Sequence, residues 1–500
     1  EIVFGDWSSD VCSSDLYIFN GAPTLTTTPS QTIKYDSLGN YPSFCIADFN
    51  KDGYGDLAIG DSRGVGVNSE KGQVNIHYGT GIDLNPTPDL IIGGYGSATA
   101  TNFGQALSAG DINGDGIDDL VVGAPGYPIS GTREGRIYIY YGDSLGLHTF
   151  PDIIINGHSS PVFYEEFGAS VSSVDDYNGD GYDDLLVGAY GSSITGAASG
   201  AVYFYYGDVK VDTISYGWVY GENSYQLLGG FNVSNIESDT TGYNAMSWFG
   251  TPFWPTNTSD FGEGKCYLVP GDTIGELTPL WTITGEDTGL GFWSSSAGYA
   301  DGDKLGDMLA GASPSFDQAG RAYLYLRRPT MKNQYDAYIQ GRYSGLPGDV
   351  MGARVAPAGD VDGDGRDEFL VSNYYANNDN RIWLCKYTGP DGVEQITDDR
   401  SKITGIKLGQ NYPNPFRQST VISYQITGGG PVKLAVYNVA GQLVRTLTPP
   451  NPPLEGRDER EGTVTWDGRD NNGQAVPNGV YFYKLNIGGE SMVKKMTLLR

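Results

Sequence analysis

Hydrophobic and polar positions alternate along this chain in short bursts. DINGDGIDDLVVGAP, Asp111 to Pro125, shows the pattern: a polar, glycine-bearing turn, then the apolar run Leu120-Val121-Val122. The front half reads as a sharp acidic turn and the back half as a buried strand. A second burst follows in GRIYIYYG from Gly135, rich in β-branched and aromatic residues and therefore strand-like. PDIIING, 151–157, adds a further strand, and Phe167-Gly168 opens the next cycle.

The whole cycle repeats. ADFNKDGYGDLAIG, GDINGDGIDDLVVGAP, DDYNGDGYDDLLVGAYG and GDVDGDGRDEFLVS share the acidic turn, and YADGDKLGDMLAGASP is a weaker copy. SNIESDTTGYNAMSWFGTP lies at the right distance but has lost the carboxylate spacing. The starts fall at 48, 111, 176, near 238, 299 and 360, a period of 61 to 65 residues. Strand motifs recur in phase: GQVNIHYG, GRIYIYYG, GAVYFYYG, GKCYLVPG, GRAYLYL and NRIWLCKY. Four strands per unit, repeated about an axis, predict an all-β fold of β-propeller type. A solenoid is the alternative, but its units are usually shorter.

Composition narrows the class of protein. A chain of 500 residues is too long for one ordinary domain. With 31 Lys+Arg against 60 Asp+Glu the formal charge is -29, which disfavours nucleic acid and anionic membrane as partners. No run of about 18 apolar residues occurs, so no transmembrane segment is expected. The N-terminal stretch DWSSDVCSSDL, Asp6 to Leu16, resembles a translated sequencing adapter, so residues 1–16 are expected to be an adapter-derived artefact. On that reading the native N-terminus and any signal peptide are missing. With Cys12 set aside, Cys45, Cys266 and Cys385 have neither disulfide-framework nor zinc spacing and are expected as buried thiols.

The acidic turns carry the clearest chemistry. Oxygens at positions 1, 3, 5 and 9, with a backbone carbonyl at 7 and Gly at 6, can wrap one hard cation. The donor sets are Asp48, Asn50, Asp52, the Tyr54 carbonyl and Asp56; Asp111, Asn113, Asp115, the Ile117 carbonyl and Asp119; Asp176, Asn178, Asp180, the Tyr182 carbonyl and Asp184; and Asp360, Asp362, Asp364, the Arg366 carbonyl and Glu368. The weak copy offers Asp301, Asp303 and Asp307 but has Tyr299 at position 1. Oxygen ligands without His or Cys point to calcium over zinc or copper. About four calcium sites are expected, with a fifth at 301–307. In the loop at 111, Asp118 is expected to point away from the ion. An EF-hand is disfavoured because its position 12 requires Glu, and Val122 stands there. A solvated turn without metal is the competing explanation for any one copy.

Phe103-Gly104 together with Gly123-Ala124-Pro125 resembles the FG-GAP repeat, the blade of the integrin α propeller, over roughly residues 17–388. That resemblance implies a calcium loop between the first and second strands of each blade and ligand binding mainly on the opposite face. YIFNG, Tyr17 to Gly21, matches a third strand, and residues 30–36 read as a fourth. The last repeat reads as ending at its third strand near Tyr387, so six blades and a half blade of a seven-bladed parent are expected.

Residues 389–406 read as a linker, and the repeat stops there. NYPNPF (Asn411–Phe416), VYNVAGQLV, WDGRDNNGQAVPNGVY and KKMTLLR follow. Alternating strands with Gly/Asn turns predict a small Ig-like β-sandwich over 407–500. This segment resembles the type A C-terminal sorting domain of bacterial type IX secretion. The resemblance implies export to the cell surface or the medium and the secretion machinery as a partner. Lys494 and Lys495 are candidate recognition points, or solubilising charges.

A secreted or surface-bound calcium-binding propeller acting in adhesion or ligand recognition is the reading these features share. Its expected partner is an extracellular protein or glycan. No catalytic motif occurs: His77, His148 and His158 are scattered, and there is no nucleophile elbow, H-E-x-x-H or phosphate loop. A polysaccharide hydrolase or lyase using paired carboxylates, or a structural surface-layer component, are the alternatives. The unit that lost its acidic turn is rich in aromatics, and Trp248, Phe253 and Trp254 are candidate ligand contacts. Packing between blades is the competing explanation.

Overall fold

The run Leu120-Val121-Val122 lies in a strand, Asp119–Ala124, buried at every position. Its side chains alternate between two faces. Leu120, Val122 and Ala124 pack toward the preceding sheet, and Val121 packs toward the following one. A strand buried on both faces needs no polar alternation, which explains its continuous apolar sequence.

The computed structural model describes residues 2–5, 14–19, 31–35, 43–62, 72–80, 84–94, 101–158, 164–174, 176–230, 233–236, 246–253, 263–270, 275–285, 289–312, 320–328, 330–332, 334–340, 350–361, 363–374, 382–389, 393–397, 407–408, 411–427, 432–438, 442–447, 459–471, 473–487 and 490–499. Every regular element among them is a strand. Two units result, Glu1–Ile396 and Thr397–Arg500.

In the first unit one antiparallel meander recurs six times. The second copy is typical: Ala106–Gly110, Asp119–Ala124, Arg136–Tyr140 and Ile153–Asn156 pair in that order. Leu107 faces Val122, Val122 faces Tyr138, and Ile137 faces Ile155 across the sheet. The other five span residues 43–93, 170–220, 233–284, 290–340 and 350–397. Gly275–Glu276 adds a short parallel strand beside Gly217–Tyr220 in the third. First strands of consecutive sheets lie beside one another, and each apolar cluster is shared by two neighbouring sheets. The core therefore sits between blades.

The FG and GAP glycines meet at that junction. A Cβ on Gly123 would stand 2.1 Å from the Gly168 carbonyl oxygen of the next sheet. Gly60 and Gly188 meet Gly104 and Gly229 in the same way, at 2.1 and 2.0 Å. Only glycine lets two backbones approach so closely.

At the start of the chain Ile2–Gly5 pairs with Ser14–Phe19, which pairs with Gln31–Tyr35 in a three-stranded sheet. IVFG and LYIF are both apolar, strand-forming segments, and pairing satisfies their backbone groups. Residues 6–13, with Cys12, lie outside the described residues. The last repeat does not stop near Tyr387. Val393–Thr397, inside the expected linker, is its fourth strand.

The second unit is a two-sheet sandwich. Lys407–Leu408, Thr420–Thr427 and Glu459–Trp466 form one sheet. Leu443–Leu447, Val432–Asn438, Gly479–Ile487 and Glu490–Leu498 form the other. Trp466, Tyr483 and Phe416 lie between them, nearly inaccessible to solvent. NYPNPF acts as a clasp. The Asn411 N–H donates to the Tyr483 hydroxyl (2.9 Å), and its Nδ2 donates to Thr420 Oγ1 (2.9 Å) and to the Pro413 carbonyl (3.2 Å). The Thr497 N–H donates to Asn414 Oδ1 (2.9 Å), joining the motif to the last strand. Removing a buried amide strands its partners. Asn411→Ala is therefore expected to destabilise this unit by about 2 kcal/mol. Hydrogen exchange should quicken in residues 479–498 and stay unchanged in residues 106–140.

Candidate metal-binding loops

Each acidic turn joins the first and second strands of a sheet, and its backbone folds around its own carboxylates. In the loop at 111 the Asp115 N–H donates to Asp111 Oδ1 (2.9 Å) and Asn113 Oδ1 (3.0 Å). The Gly116 N–H donates to Asp111 Oδ2 (2.8 Å), and the Ile117 N–H to Asp115 Oδ1 (2.9 Å). Gly116 holds φ +79°, the left-handed turn that position 6 requires. The loop at 48 repeats this: Asp52 N–H to Asp48 Oδ1 (3.1 Å) and Asn50 Oδ1 (2.9 Å), Gly53 N–H to Asp48 Oδ2 (2.9 Å), and Tyr54 N–H to Asp52 Oδ1 (2.9 Å). So does the loop at 176: Asp180 N–H to Asp176 Oδ1 (2.9 Å) and Asn178 Oδ1 (2.8 Å), Gly181 N–H to Asp176 Oδ2 (2.7 Å), and Tyr182 N–H to Asp180 Oδ1 (3.1 Å). These three loops turn the side-chain oxygens of positions 1, 3 and 5 inward.

Position 9 anchors the loop from below. Asp56, Asp119, Asp184, Asp307 and Glu368 are each 0% exposed. Asp56 accepts from the Phe49 N–H (2.9 Å) and, across the sheet, from the Gly79 N–H (2.7 Å). Asp184 does the same with Tyr177 (2.9 Å) and Gly207 (2.8 Å), and Asp119 accepts from Gly142 (3.0 Å). Burial, opposed by these amides and reinforced by the neighbouring carboxylates, pushes the Asp119 carboxyl up to about 8 and those of Asp56 and Asp184 to about 7.

The donor set suits a hard cation. It is made of oxygen, and a carboxylate oxygen that accepts one amide keeps a further lone pair. Among the described residues no three His, Cys, Asp or Glu side chains are drawn together at metal-ligand spacing. The loops present their oxygens already spent in part on their own amides.

The remaining two loops differ. At 299 the first carboxylate is missing; Asp303 N–H donates to Asp301 Oδ1 (3.1 Å), Leu305 N–H to Asp303 Oδ1 (2.8 Å), and Arg327 N–H to Asp307 Oδ1 (2.9 Å). At 360 the amides of Asp364 and Gly365 do wrap Asp360 (3.0 and 2.9 Å), and the Arg366 N–H donates to Asp364 Oδ1 (3.1 Å). Here Lys386 Nζ also stands 2.6 Å from Asp364 Oδ2 and 3.6 Å from Glu368 Oε1. The ammonium, hydrogen-bonded to Asp364, holds that carboxyl below its usual range. Asp362 lies outside the described residues. The sequence reading missed Lys386. It occupies the register where three of the other strand motifs carry Tyr78, Tyr141 and Tyr206.

Asp118, expected to point away from its own ion, accepts the Asp48 N–H of the preceding sheet (2.9 Å).

The aromatic candidates separate. Trp248 is 0% exposed; its Nε1–H donates to the Leu309 carbonyl (2.8 Å) and its ring stacks on Trp281 with centroids 5.9 Å apart. It belongs to the packing between two sheets and is not a surface contact. Phe253 is half-buried, and Trp254 lies outside the described residues. Each histidine is engaged locally: His77 Nδ1 with the Asn85 carbonyl (2.6 Å), His148 with Asp152 (2.9 Å), and His158 with Glu165 (3.3 Å). Cys266 and Cys385 are buried free thiols, while Cys45 is only half-buried.

Loop-bearing four-stranded sheets, stacked through shared cores, define a β-propeller-type repeat protein. Three of the repeats match the FG-GAP repeat. That family's profile matches residues 103–140, 167–205 and 351–385, and the FlgD Ig-like domain profile matches 417–489. Phosphatidylinositol-glycan-specific phospholipase D of Bos taurus is 27% identical over 375 residues, covering 65% of this chain and 42% of that protein. Integrin alpha-5 of Xenopus laevis is 33% identical over 181 residues, covering 34% of this chain and 15% of that protein. Integrin alpha-E of Mus musculus is 32% identical over 168 residues, covering 32% and 14%. The chain thus spans less than half the length of these curated relatives. No helix among the described residues is long and apolar enough to cross a membrane.

Proposed function

We propose that this chain is an extracellular, calcium-stabilised recognition propeller. The observation that carries the reading is the set of three loops, at 48, 111 and 176, in which positions 1, 3 and 5 are held inward by their own amides. Calcium would be held by Asp48, Asn50, Asp52 and Asp56, by Asp111, Asn113, Asp115 and Asp119, and by Asp176, Asn178, Asp180 and Asp184. Bound there, it supplies the positive charge that each carboxylate cluster lacks. Its role is structural, and recognition falls to other loops.

In the loop at 360, Lys386 already provides a positive charge. Lys386→Met is expected to add about one calcium ion per chain in a calorimetric titration, because it frees Asp364 and Glu368. An unchanged stoichiometry would show that Lys386 does not compete with the ion.

The likeness to integrin α chains supports adhesion or ligand recognition. The recognition experiment is binding to glycan and matrix-protein arrays, with calcium and with chelator. Calcium-dependent binding to a defined ligand supports the reading, and silence across both arrays counts against it. The likeness to the bovine phospholipase favours a second reading, a phosphodiesterase; release of phosphate-bearing product from a glycosylphosphatidylinositol substrate would establish it. We assign export to the C-terminal sandwich, whose NYPNPF clasp and basic last strand resemble a type IX sorting domain. Deleting residues 407–500 should then retain the protein inside a host that secretes the full chain.

A further inference from the structure

The acidic loops of neighbouring sheets touch through one recurring contact. Asp118 Oδ2 accepts the Asp48 N–H (2.9 Å), Asp183 Oδ2 accepts the Asp111 N–H (2.9 Å), and Asp367 Oδ2 accepts the Tyr299 N–H (2.8 Å). In each case position 8 of one loop holds position 1 of the loop before it. Two of the contacts are reciprocal: the Asp183 N–H donates to the Asp111 carbonyl (3.0 Å) and the Asp367 N–H to the Tyr299 carbonyl (3.1 Å). The approach leaves no room for a side chain beside it, since a Cβ on Gly110 would stand 2.6 Å from Asp183 Oδ2.

Among the five acidic turns, the identity of position 8 follows the neighbour, not its own loop. It is Asp118, Asp183 and Asp367 in loops that follow a sheet with an acidic turn. It is Gly55 in the loop at 48, which follows the three-stranded sheet, and Gly306 in the loop at 299, which follows the repeat that lost its carboxylate spacing. A residue serving its own loop would have no reason to vary in this way.

Position 1 is where such a contact has most leverage. Both oxygens of Asp48 and of Asp111 hold amides of positions 5 and 6, so the placement of that one residue sets the frame of the loop. A hydrogen bond from its backbone N–H to a carboxylate is charge-assisted and directional. We propose that Asp118 and Asp183 are positioning residues for the cation loop of the preceding sheet, so that loops 48, 111 and 176 bind calcium as a coupled row. This rests on the calcium reading above. Coupling is reciprocal: an ion that orders the loop at 176 also fixes Asp183, and thereby strengthens binding at 111.

The test is a calcium titration of the full chain by calorimetry. Asp115→Ala first identifies the site at 111 by removing it. Asp183→Ala is expected to weaken that same site about tenfold, the usual scale for residues that orient a ligand. Asp183→Asn keeps an oxygen acceptor and should restore most of the affinity. In the Asp115→Ala background, Asp183→Ala should alter no remaining site. If Asp183→Ala leaves every affinity unchanged, or weakens a site that survives in that background, the proposal is overturned. Asp118→Ala, read at the loop at 48, makes the same test should Asp183→Ala fail to fold. A wild-type chain that binds no calcium removes the calcium reading and this proposal together. A wild-type chain that binds calcium while both alanine variants are silent removes only this proposal.

Discussion

Chelation of calcium is expected to lower the unfolding temperature of the first unit by about 5 °C. The size follows from mass action. At a tenfold excess over Kd, each site adds about 1.4 kcal/mol to the folded state, so three sites add about 4 kcal/mol. An unfolding entropy typical of a unit of this size converts that into about 5 °C. The physical source is the crowding of like charge: in the loop at 111, Asp111, Asp115 and Asp119 stand around one turn, with Asp119 wholly buried beneath it. Calorimetric scans in calcium, in magnesium and in excess chelator measure the effect. Magnesium should substitute poorly because it demands a tighter octahedron than these loops offer. The triple variant Asp52→Ala, Asp115→Ala, Asp180→Ala should melt at the same temperature in all three conditions. Identical wild-type melting in calcium and in chelator would remove the structural role assigned to the ion.

Gly123→Ala is expected to destabilise the same unit by about 3 kcal/mol, the upper part of the range for overpacking. The added methyl would meet the Gly168 carbonyl oxygen at 2.1 Å, and backbone cannot rotate aside as a side chain can. Relief requires moving the next sheet outward, which opens the shared core of Val121, Ile137, Val171 and Val187. Gly131→Ala is the control. Gly131 holds φ +103° with nothing within 4 Å of its Cβ position, so only backbone strain of about 1 kcal/mol is expected there. Urea unfolding at saturating calcium separates the two, through a lower midpoint at similar slope. Equal losses for the two variants would mean that the junction between sheets is not the tight point it looks.

Much of this architecture is legible in the residues because the signals are local. An acidic turn of nine residues carries its own hydrogen bonds, so Asp48, Asp111 and Asp176 announce their loops within one short window. The apolar run after each turn states that its strand is buried on both sides, and the 61-to-65-residue spacing states that the unit repeats. The last fourth strand, Val393–Thr397, was hidden because VEQIT alternates too weakly to stand out from a linker. It becomes a strand only by pairing with a neighbour already in place.

What the sequence by itself determined is the repeat, the all-β class, the order of strands and the oxygen sets of the loops. These depend on residues close together in the chain. Tertiary structure alone decided that Trp248 is interior, that Lys386 enters the loop at 360, and that Asp118 and Asp183 hydrogen-bond to the loops before their own. Each of these contacts spans about one blade or a good part of one, and no local pattern records which residue will arrive from that distance.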